Sequence, residues 1–389
     1  MHRPRQIALV AAAVAALSLA AVTAATADDE NAFVVHNLVS DVAGRADHVD
    51  ANLVNGWGLA ALPTSPWWVA DNGTDVATIY QADGTKAPLT VQVPKAPTGE
   101  VSNAGSSFVV SNGSASGPAR FIWATEEGKI LGWNPSVMPT QAVVAVDRSS
   151  AGAVFKGLAI ASTTGGSFLF ATDFHNAKVN VFDGSFHQLT TAGAFVDTKL
   201  PAGFAPFGIQ NIGGRIFVTY AKQDAAKHDD VPGIGLGFVD EFDTSGKFLM
   251  RVASRGLLNS PWGLALAPAS FGRFGGDLLV GNFGDGRINA FSPQHENQAE
   301  KHAKSSEHGR HGKKGKHHGR RNDDERPNNG FEFRGQLRAT NGNVIAIDGL
   351  WSLQFGLGAA ANGPTDTLFF TAGPNDEQHG LFGTIRAAK

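Results

Sequence analysis

A degenerate repeat with a period of roughly 50 residues is the feature that most restricts how this chain can fold. One copy begins at Asn55-Gly56-Trp57-Gly58-Leu59-Ala60, and the clearest copy begins at Ser260-Pro261-Trp262-Gly263-Leu264-Ala265. Weaker copies begin near residues 106, 155, 206 and 349. Within each copy the candidate strands are short, rich in β-branched and aromatic residues, and bounded by Gly, Asp, Asn and Pro. The sequence therefore predicts an all-β, six-bladed β-propeller with four strands in each blade around a central channel. A pair of β-sandwiches would explain the strand composition but not the recurrence of the Gly-Leu/Ile start.

The two ends of the chain are predicted to close the ring. The last copy ends in a third strand, Gly380-Leu381-Phe382-Gly383-Thr384-Ile385, with only four residues after it. Residues 33–39 form a strand that belongs to no blade of its own. We expect this strand to pair with the last blade as its outermost strand, because pairing protects both edges from solvent and from other chains.

Composition supports this fold and excludes several kinds of site. The 47 glycines and the charged fraction of 17% favour a turn-rich, all-β protein. Because the chain has no cysteine, it holds neither a thiolate nucleophile nor a Cys-ligated metal site. The formal net charge of −3 gives no long-range attraction to nucleic acid.

The N-terminal residues are predicted to be a signal peptide covering 1–27. Arg3 and Arg5 precede an Ala-rich apolar run, and Ala25-Thr26-Ala27 has the pattern of a cleavage site. An uncleaved membrane anchor is the alternative, but Ala drives insertion weakly. We therefore expect 28–389 to be one propeller domain that is secreted, periplasmic or at the cell surface, monomeric and without a membrane span. The expected partner is a small molecule or an extracellular protein or polysaccharide, not nucleic acid.

The clearest copy also resembles a known repeat. Pro261-Trp262-Gly263-Leu264-Ala265, followed by Leu278-Leu279-Val280-Gly281-Asn282 and Ile288-Asn289-Ala290-Phe291, is similar to the NHL repeat. The run from Asn37 to Trp351 resembles an uncharacterised family of exported bacterial NHL-like propellers. This resemblance implies the fold but little chemistry, because propellers of this kind include lactonases, lyases, sugar oxidoreductases and binding scaffolds.

Strand parity predicts where a site would lie. In a four-stranded blade, the loop entering the innermost strand and the loop joining the second and third strands open on the same face. The polar residues at these positions are the candidate ligand-binding residues Asn55, Asp71, Asn72, Lys156, Asn259, Asn282 and Asp348, together with Asn52, Asp173, His175 and Asp285. The abundance of oxygen donors suits calcium in the central channel. The alternative is that these Asp and Asn side chains only stabilise turns.

Two classes of function remain open. In the first, the protein binds a ligand or another protein on its channel face and has no catalytic activity; the lack of any G-x-S-x-G, H-E-x-x-H or P-loop motif favours this class. In the second, it resembles lactonase-type propellers as a hydrolase or lyase. A calcium ion would then polarise a carbonyl, and Asp173 or His175 would be the catalytic residue that moves the proton.

Two further features complete the expectations. The His/Lys/Arg-rich insertion at 294–330 lacks apolar residues to bury and is predicted to be a disordered loop joining the third and fourth strands of the fifth blade. Its histidines offer weak metal binding, and a merely solvated loop is the alternative. Trp57, Trp262 and Trp351 occupy related positions at blade starts, and we expect them to be buried between adjacent blades.

Overall fold

The computed structural model describes residues 31–293 and 330–388, and these form a six-bladed β-propeller. The predicted fold class is confirmed. Within the described ranges there is no α-helix, only three 3-10 turns at Asn72–Thr74, Ser149–Ala151 and Gly272–Phe274. None of the described residues forms a helix with the length and hydropathy needed to cross a membrane. The predicted signal peptide, and the predicted insertion apart from Gly330, lie outside the described residues.

Six sheets, one for each blade, account for almost all of the strands. The chain begins with β1 (Phe33–Ser40) and β2 (His48–Val49), and a small hairpin of β8 (Val109–Ser111) and β9 (Ser116–Pro118) projects from blade 2. From the innermost strand outward, the blades are as follows: blade 1, β3 (Gly56–Ala60), β4 (Trp67–Asp71), β5 (Val76–Tyr80) and β6 (Val91–Gln92); blade 2, β7 (Pro97–Ser102), β10 (Phe121–Thr125), β11 (Lys129–Trp133) and β12 (Val143–Asp147); blade 3, β13 (Phe155–Thr163), β14 (Gly166–Asp173), β15 (Lys178–Asp183) and β16 (Gln188–Leu189); blade 4, β17 (Phe204–Ile212), β18 (Arg215–Lys222), β19 (Gly237–Asp243) and β20 (Phe248–Ser254); blade 5, β21 (Pro261–Leu266), β22 (Leu278–Asn282), β23 (Ile288–Pro293) and β24 (Phe331–Gln336); blade 6, β25 (Leu350–Phe355), β26 (Leu368–Ala372), β27 (Leu381–Ala387) and then β1.

Ring closure follows the prediction from the chain ends. β1 pairs antiparallel with β27, with Phe33 opposite Ala387 and Ser40 opposite Leu381. The Ser40 hydroxyl also donates a 2.8 Å hydrogen bond to the Gly380 carbonyl across the same joint. One detail differs from the expectation: β2 pairs parallel with β1 on its outer side, so β1 is the fourth of five strands and not the outermost.

The blades bury both faces of each sheet, which explains the apolar runs in their strands. In β4, Trp67 and Val69 pack toward blade 6, whereas Trp68 and Ala70 pack toward blade 2. Because successive side chains in a strand point to opposite faces, an unbroken apolar run is needed when both faces are covered. The core of the protein is therefore a series of layers between neighbouring blades.

The glycine of the repeated start motif is required by close contact between neighbouring inner strands. A Cβ atom added to Gly208 would lie 2.1 Å from the Trp262 carbonyl oxygen, and one added to Gly263 would lie 2.4 Å from the Trp351 carbonyl oxygen. Gly157 approaches the next blade in the same way. No side chain fits at these positions, so the inner strands meet backbone to backbone.

The three predicted tryptophans are buried, but their location differs from the expectation. Trp57 stacks on Trp351 with ring centroids 3.6 Å apart, and Trp262 meets both rings edge-on. They form one cluster with Phe174 and Phe207 near the starts of the inner strands, rather than lying separately between blades. We call this group the tryptophan cluster; it fills the channel because the start motif places the same residue type on several blades.

Candidate functional site

The candidate site lies where the chain enters the inner strands. Asn55 precedes β3 and has a left-handed backbone conformation with φ of 51°, which asparagine tolerates better than most residues. Its buried amide faces the other loops that open on this side of the disc. We call this end of the channel the upper mouth.

A buried lysine organises the charges at the upper mouth. The Lys156 ammonium lies 2.5 Å from Glu126 Oε1 and 3.0 Å from Asp229 Oδ1, and its side chain is only 2% exposed. Asp229 Oδ1 is also 2.9 Å from His228 Nδ1. The ammonium sits 5.2 Å from the centre of the Trp57 ring, at the edge of the tryptophan cluster. Three blades thus meet around one cation.

A second set of hydrogen bonds extends this arrangement to blades 1 and 6. The Asn55 amide donates to Glu377 Oε2 at 2.5 Å and to Asn72 Oδ1 at 3.2 Å. Asn55 Oδ1 accepts a 2.9 Å hydrogen bond from Trp351 Nε1. The Asn72 amide in turn donates to Glu126 Oε2 at 3.1 Å. The polar groups therefore form one continuous network, which we call the mouth network, from Glu377 through Asn55, Asn72, Glu126 and Lys156 to Asp229.

The environment moves the pKa values of these groups in different directions. Burial disfavours the charged form of Lys156, but attraction to Glu126 and Asp229 outweighs it and the pKa of the ammonium is raised. Burial would raise the pKa of Asp229, yet the charge and hydrogen bond of Lys156 lower it overall. Burial, opposed by the Asn55 hydrogen bond and reinforced by repulsion from Glu126, raises the pKa of Glu377 to about 6. The mouth network therefore combines a stable ion pair with a carboxyl that titrates near neutral pH.

Three of the predicted site residues, Asn55, Asn72 and Lys156, belong to the mouth network. The Asp173 carboxylate instead accepts hydrogen bonds from the backbone and side chain of Asn176 and from the Asn180 side chain, within its own blade. His175 is half-buried beside Gly152 and makes no contact with the network. Asp173 and His175 are thus not brought together with the charged groups.

The other predicted residues mainly hold turns. Asn259 accepts a hydrogen bond from the Gly233 backbone, and Asn282 bonds to the Leu257 carbonyl and to Asp285. The remaining three are placed as follows: the Asn52 carbonyl accepts from Thr74, Asp348 accepts from the Asn375 backbone, and Asp71 is fully buried with no hydrogen-bond partner among the described residues, so that burial raises its pKa.

Sequence reasoning missed Glu126, His228, Asp229 and Glu377. All four lie in loops between second and third strands, where the parity rule places a site. Glu126 directly follows β10, so the rule applied to blade 2 would have selected it. The other three lie further into longer loops, whose conformation the strand pattern does not specify.

The donor set does not fit the calcium ion implied by the resemblance to lactonase-type propellers. Glu126, His228 and Asp229 each offer one ligand atom within 4.8 Å of the others. However, the Lys156 ammonium already lies between the two carboxylates, and the oxygen donors of Asp71 and Asp173 are engaged or buried elsewhere. Calcium takes six to eight oxygen ligands, and this arrangement supplies too few around a position that a protein cation holds.

Comparisons with known proteins give relatives but no described activity. No family model matches the chain. Two uncharacterised proteins of Acanthamoeba polyphaga mimivirus are each 35% identical, over 270 and 272 residues, in each case 66% of this chain. The chain spans 66% of the length of the first and 71% of the second. These relatives are viral, so they lend no support to the expectation of an exported bacterial family.

A solved structure supports the fold alone. A Bacteroides thetaiotaomicron structural genomics protein of unknown function superposes with a TM-score of 0.54 at 9% identity, covering 91% of this chain and 76% of that chain. At this identity the likeness concerns architecture and not chemistry.

Proposed function

The chain belongs to the same family as the two mimivirus proteins that it matches, and we propose that it is a propeller that binds a small polar ligand at its upper mouth. The ligand would contact the mouth network around Lys156 and Glu377. An extracellular or periplasmic location is part of this proposal and rests on the pattern of residues 1–27.

The observation that carries the proposal is the convergence of side chains from five blades on one buried ammonium. Turn chemistry does not account for these contacts, because the partners are distant in sequence: Lys156 and Asp229 are 73 positions apart, and Asn55 and Glu377 are 322 apart. Removing an ammonium from water costs several kcal/mol before its partners compensate. Such an arrangement is typical of a site that positions charge for a ligand.

The chemistry of the mouth network favours a ligand with several hydroxyl groups. Glu126, Asp229 and Glu377 supply six carboxyl oxygens, whereas Lys156 is the one basic side chain hydrogen-bonded to them besides His228. Acceptors therefore outnumber donors, and a sugar-like polyol supplies donors without adding charge. The half-buried Phe283 ring, stacked 4.0 Å from Trp351, adds an apolar surface beside these polar groups, as small-molecule sites commonly have.

Saturation-transfer NMR with a panel of monosaccharides and sugar acids tests the proposal. We expect signals from at least one sugar, weakened tenfold or more in Lys156→Met and Glu377→Gln, with Lys199→Met and Glu332→Gln as exposed controls. Circular dichroism on each variant separates lost binding from lost folding. An absence of binding across the panel, or equal binding by folded Lys156→Met, would overturn the proposal.

The pKa of Glu377 favours a second candidate function, that of a hydrolase or lyase. A carboxyl with a pKa of about 6, in one network with the ionised Asp229, provides a proton donor and a proton acceptor at the same mouth. In this candidate, Glu377 moves the proton and Lys156 binds the oxygen on which negative charge develops. A turnover rate that follows the titration of Glu377 and is lost in Glu377→Gln would support it; a rate unchanged by this substitution would exclude that role.

A further inference from the structure

The opposite end of the channel contains a cavity that the proposed function does not use. It has a volume of about 180 Å³ and lies beside the second halves of the inner strands, whereas the mouth network lies at their starts. Its wall is largely aliphatic, and its polar lining residues are Glu100, Ser102, Gln210, Asn211 and Gln354. The tryptophan cluster lies near the strand starts, between this cavity and the upper mouth.

Glu100 is the unusual member of this lining. Its side chain extends from β7 opposite Trp123 and against the backbone of β3, where a Cβ atom on Gly58 would lie 2.6 Å from the Cβ of Glu100. The residue is 6% exposed, and both carboxyl oxygens are buried with no hydrogen-bond partner among the described residues. Because a buried carboxyl without partners costs several kcal/mol, its retention at a cavity wall requires an explanation.

The surroundings of Glu100 contain no compensating charge. No lysine, arginine or histidine lines the cavity, and burial together with repulsion from Asp71 raises the pKa of Glu100 well above its ordinary value. Two of the other polar groups are already used, since Ser102 donates to the Ala61 carbonyl and the Asn211 amide donates to the Ile160 carbonyl.

We propose that this cavity is a second binding site, for a small primary amine whose ammonium pairs with Glu100. Three polar groups from alternate blades, the Glu100 carboxyl and the Gln210 and Gln354 amides, line the space that the ammonium and its hydrogens would enter. An ammonium supplies both the missing counter-charge and the missing donors. The aliphatic wall accommodates a short alkyl chain, and a volume of about 180 Å³ is below that of sites for drug-sized ligands.

Amine binding is coupled to loss of a proton. At neutral pH the raised pKa keeps Glu100 protonated, and pairing with an ammonium favours the carboxylate, so one proton leaves for each amine bound. The affinity for the amine should therefore increase by about tenfold per pH unit while Glu100 remains protonated in the free protein.

Isothermal titration with n-propylammonium tests the site, with n-propanol as the uncharged comparison. We expect saturable binding of the ammonium only, proton release that is visible in buffers of different ionisation enthalpy, and at least tenfold weaker binding by Glu100→Gln. This variant keeps the shape of the protonated acid, and circular dichroism verifies its fold; Glu332→Gln is the exposed control.

Three outcomes would overturn the inference: no binding of n-propylammonium, equal binding by Glu100→Gln, or equal binding of n-propanol. The last outcome would indicate only an apolar cavity. Lys156→Met should leave amine binding unchanged, so the inference and the proposed function fail independently of each other.

Discussion

Replacing Gly208 by alanine should weaken the ring more than its single added methyl group suggests. The new Cβ would lie 2.1 Å from the Trp262 carbonyl oxygen and 2.9 Å from the Thr219 hydroxyl, whereas ordinary contacts begin near 3.4 Å. The Trp262 carbonyl would have to retreat by roughly 1.3 Å, the difference between 2.1 and 3.4 Å. Both obstructing strands are backbone in a closed ring, so the strain cannot be relieved by a change of rotamer.

We expect Gly208→Ala to lower the free energy of unfolding by about 3 kcal/mol or more, the upper end of the range for overpacking. Gly165→Ala is the matched control, because the nearest atom to its new Cβ is Thr163 Oγ1 at 3.5 Å and its backbone has no positive φ. That control should change stability by less than about 1 kcal/mol. Urea unfolding followed by tryptophan fluorescence measures both variants, since Trp262 belongs to the tryptophan cluster. Equal urea midpoints for the two variants would refute backbone contact as the reason for the repeated glycine.

Three further predictions address the upper mouth, the closure and the insertion. Because the pKa of Glu377 is raised to about 6 in the folded state, the folded protein holds this proton more tightly than the unfolded chain does; stability should fall as pH rises from 4.5 to 6, by about 2 kcal/mol in total, and Glu377→Gln should remove that loss. Identical pH profiles of unfolding free energy for wild type and variant would contradict this. A chain starting at Asp41 lacks β1 and exposes the edge of β27, so light scattering should detect aggregation or urea unfolding a marked loss of stability; a monomeric, equally stable chain would show that blade 6 closes without β1. Deleting 294–329 and joining the ends by a short Gly-containing turn should shift the melting temperature by only a few degrees, because Pro293 already pairs with Phe331, and loss of soluble protein would count against it.

The fold could be predicted from the sequence because its repeat is imposed by packing. Gly208 and Gly263 recur where inner strands touch, and Trp57, Trp262 and Trp351 recur at the channel. These requirements act on every blade, so they leave a periodic record that composition alone would not reveal.

The candidate site could be predicted only in part, because its residues obey no such period. Asn55, Asn72 and Lys156 lie next to strand ends, where the parity of the strands determines the face. Asp229 and Glu377 reach the same place from within long loops, and no local pattern indicates that they meet Lys156 and Asn55. Asp173 illustrates the opposite error, since its position suggested a ligand while its carboxylate holds the turn that follows.

The joint that closes the ring is also part of the candidate site. Asn55 on blade 1 is held by Trp351 and Glu377 on blade 6, the blade completed by β1. A ligand that contacts these groups therefore acts as a clasp across the joint where the two ends of the chain meet. Since a ligand that binds only the closed form stabilises it in proportion to occupancy, binding at the upper mouth should protect the ring against opening, and conditions that loosen the joint should weaken binding to the same extent.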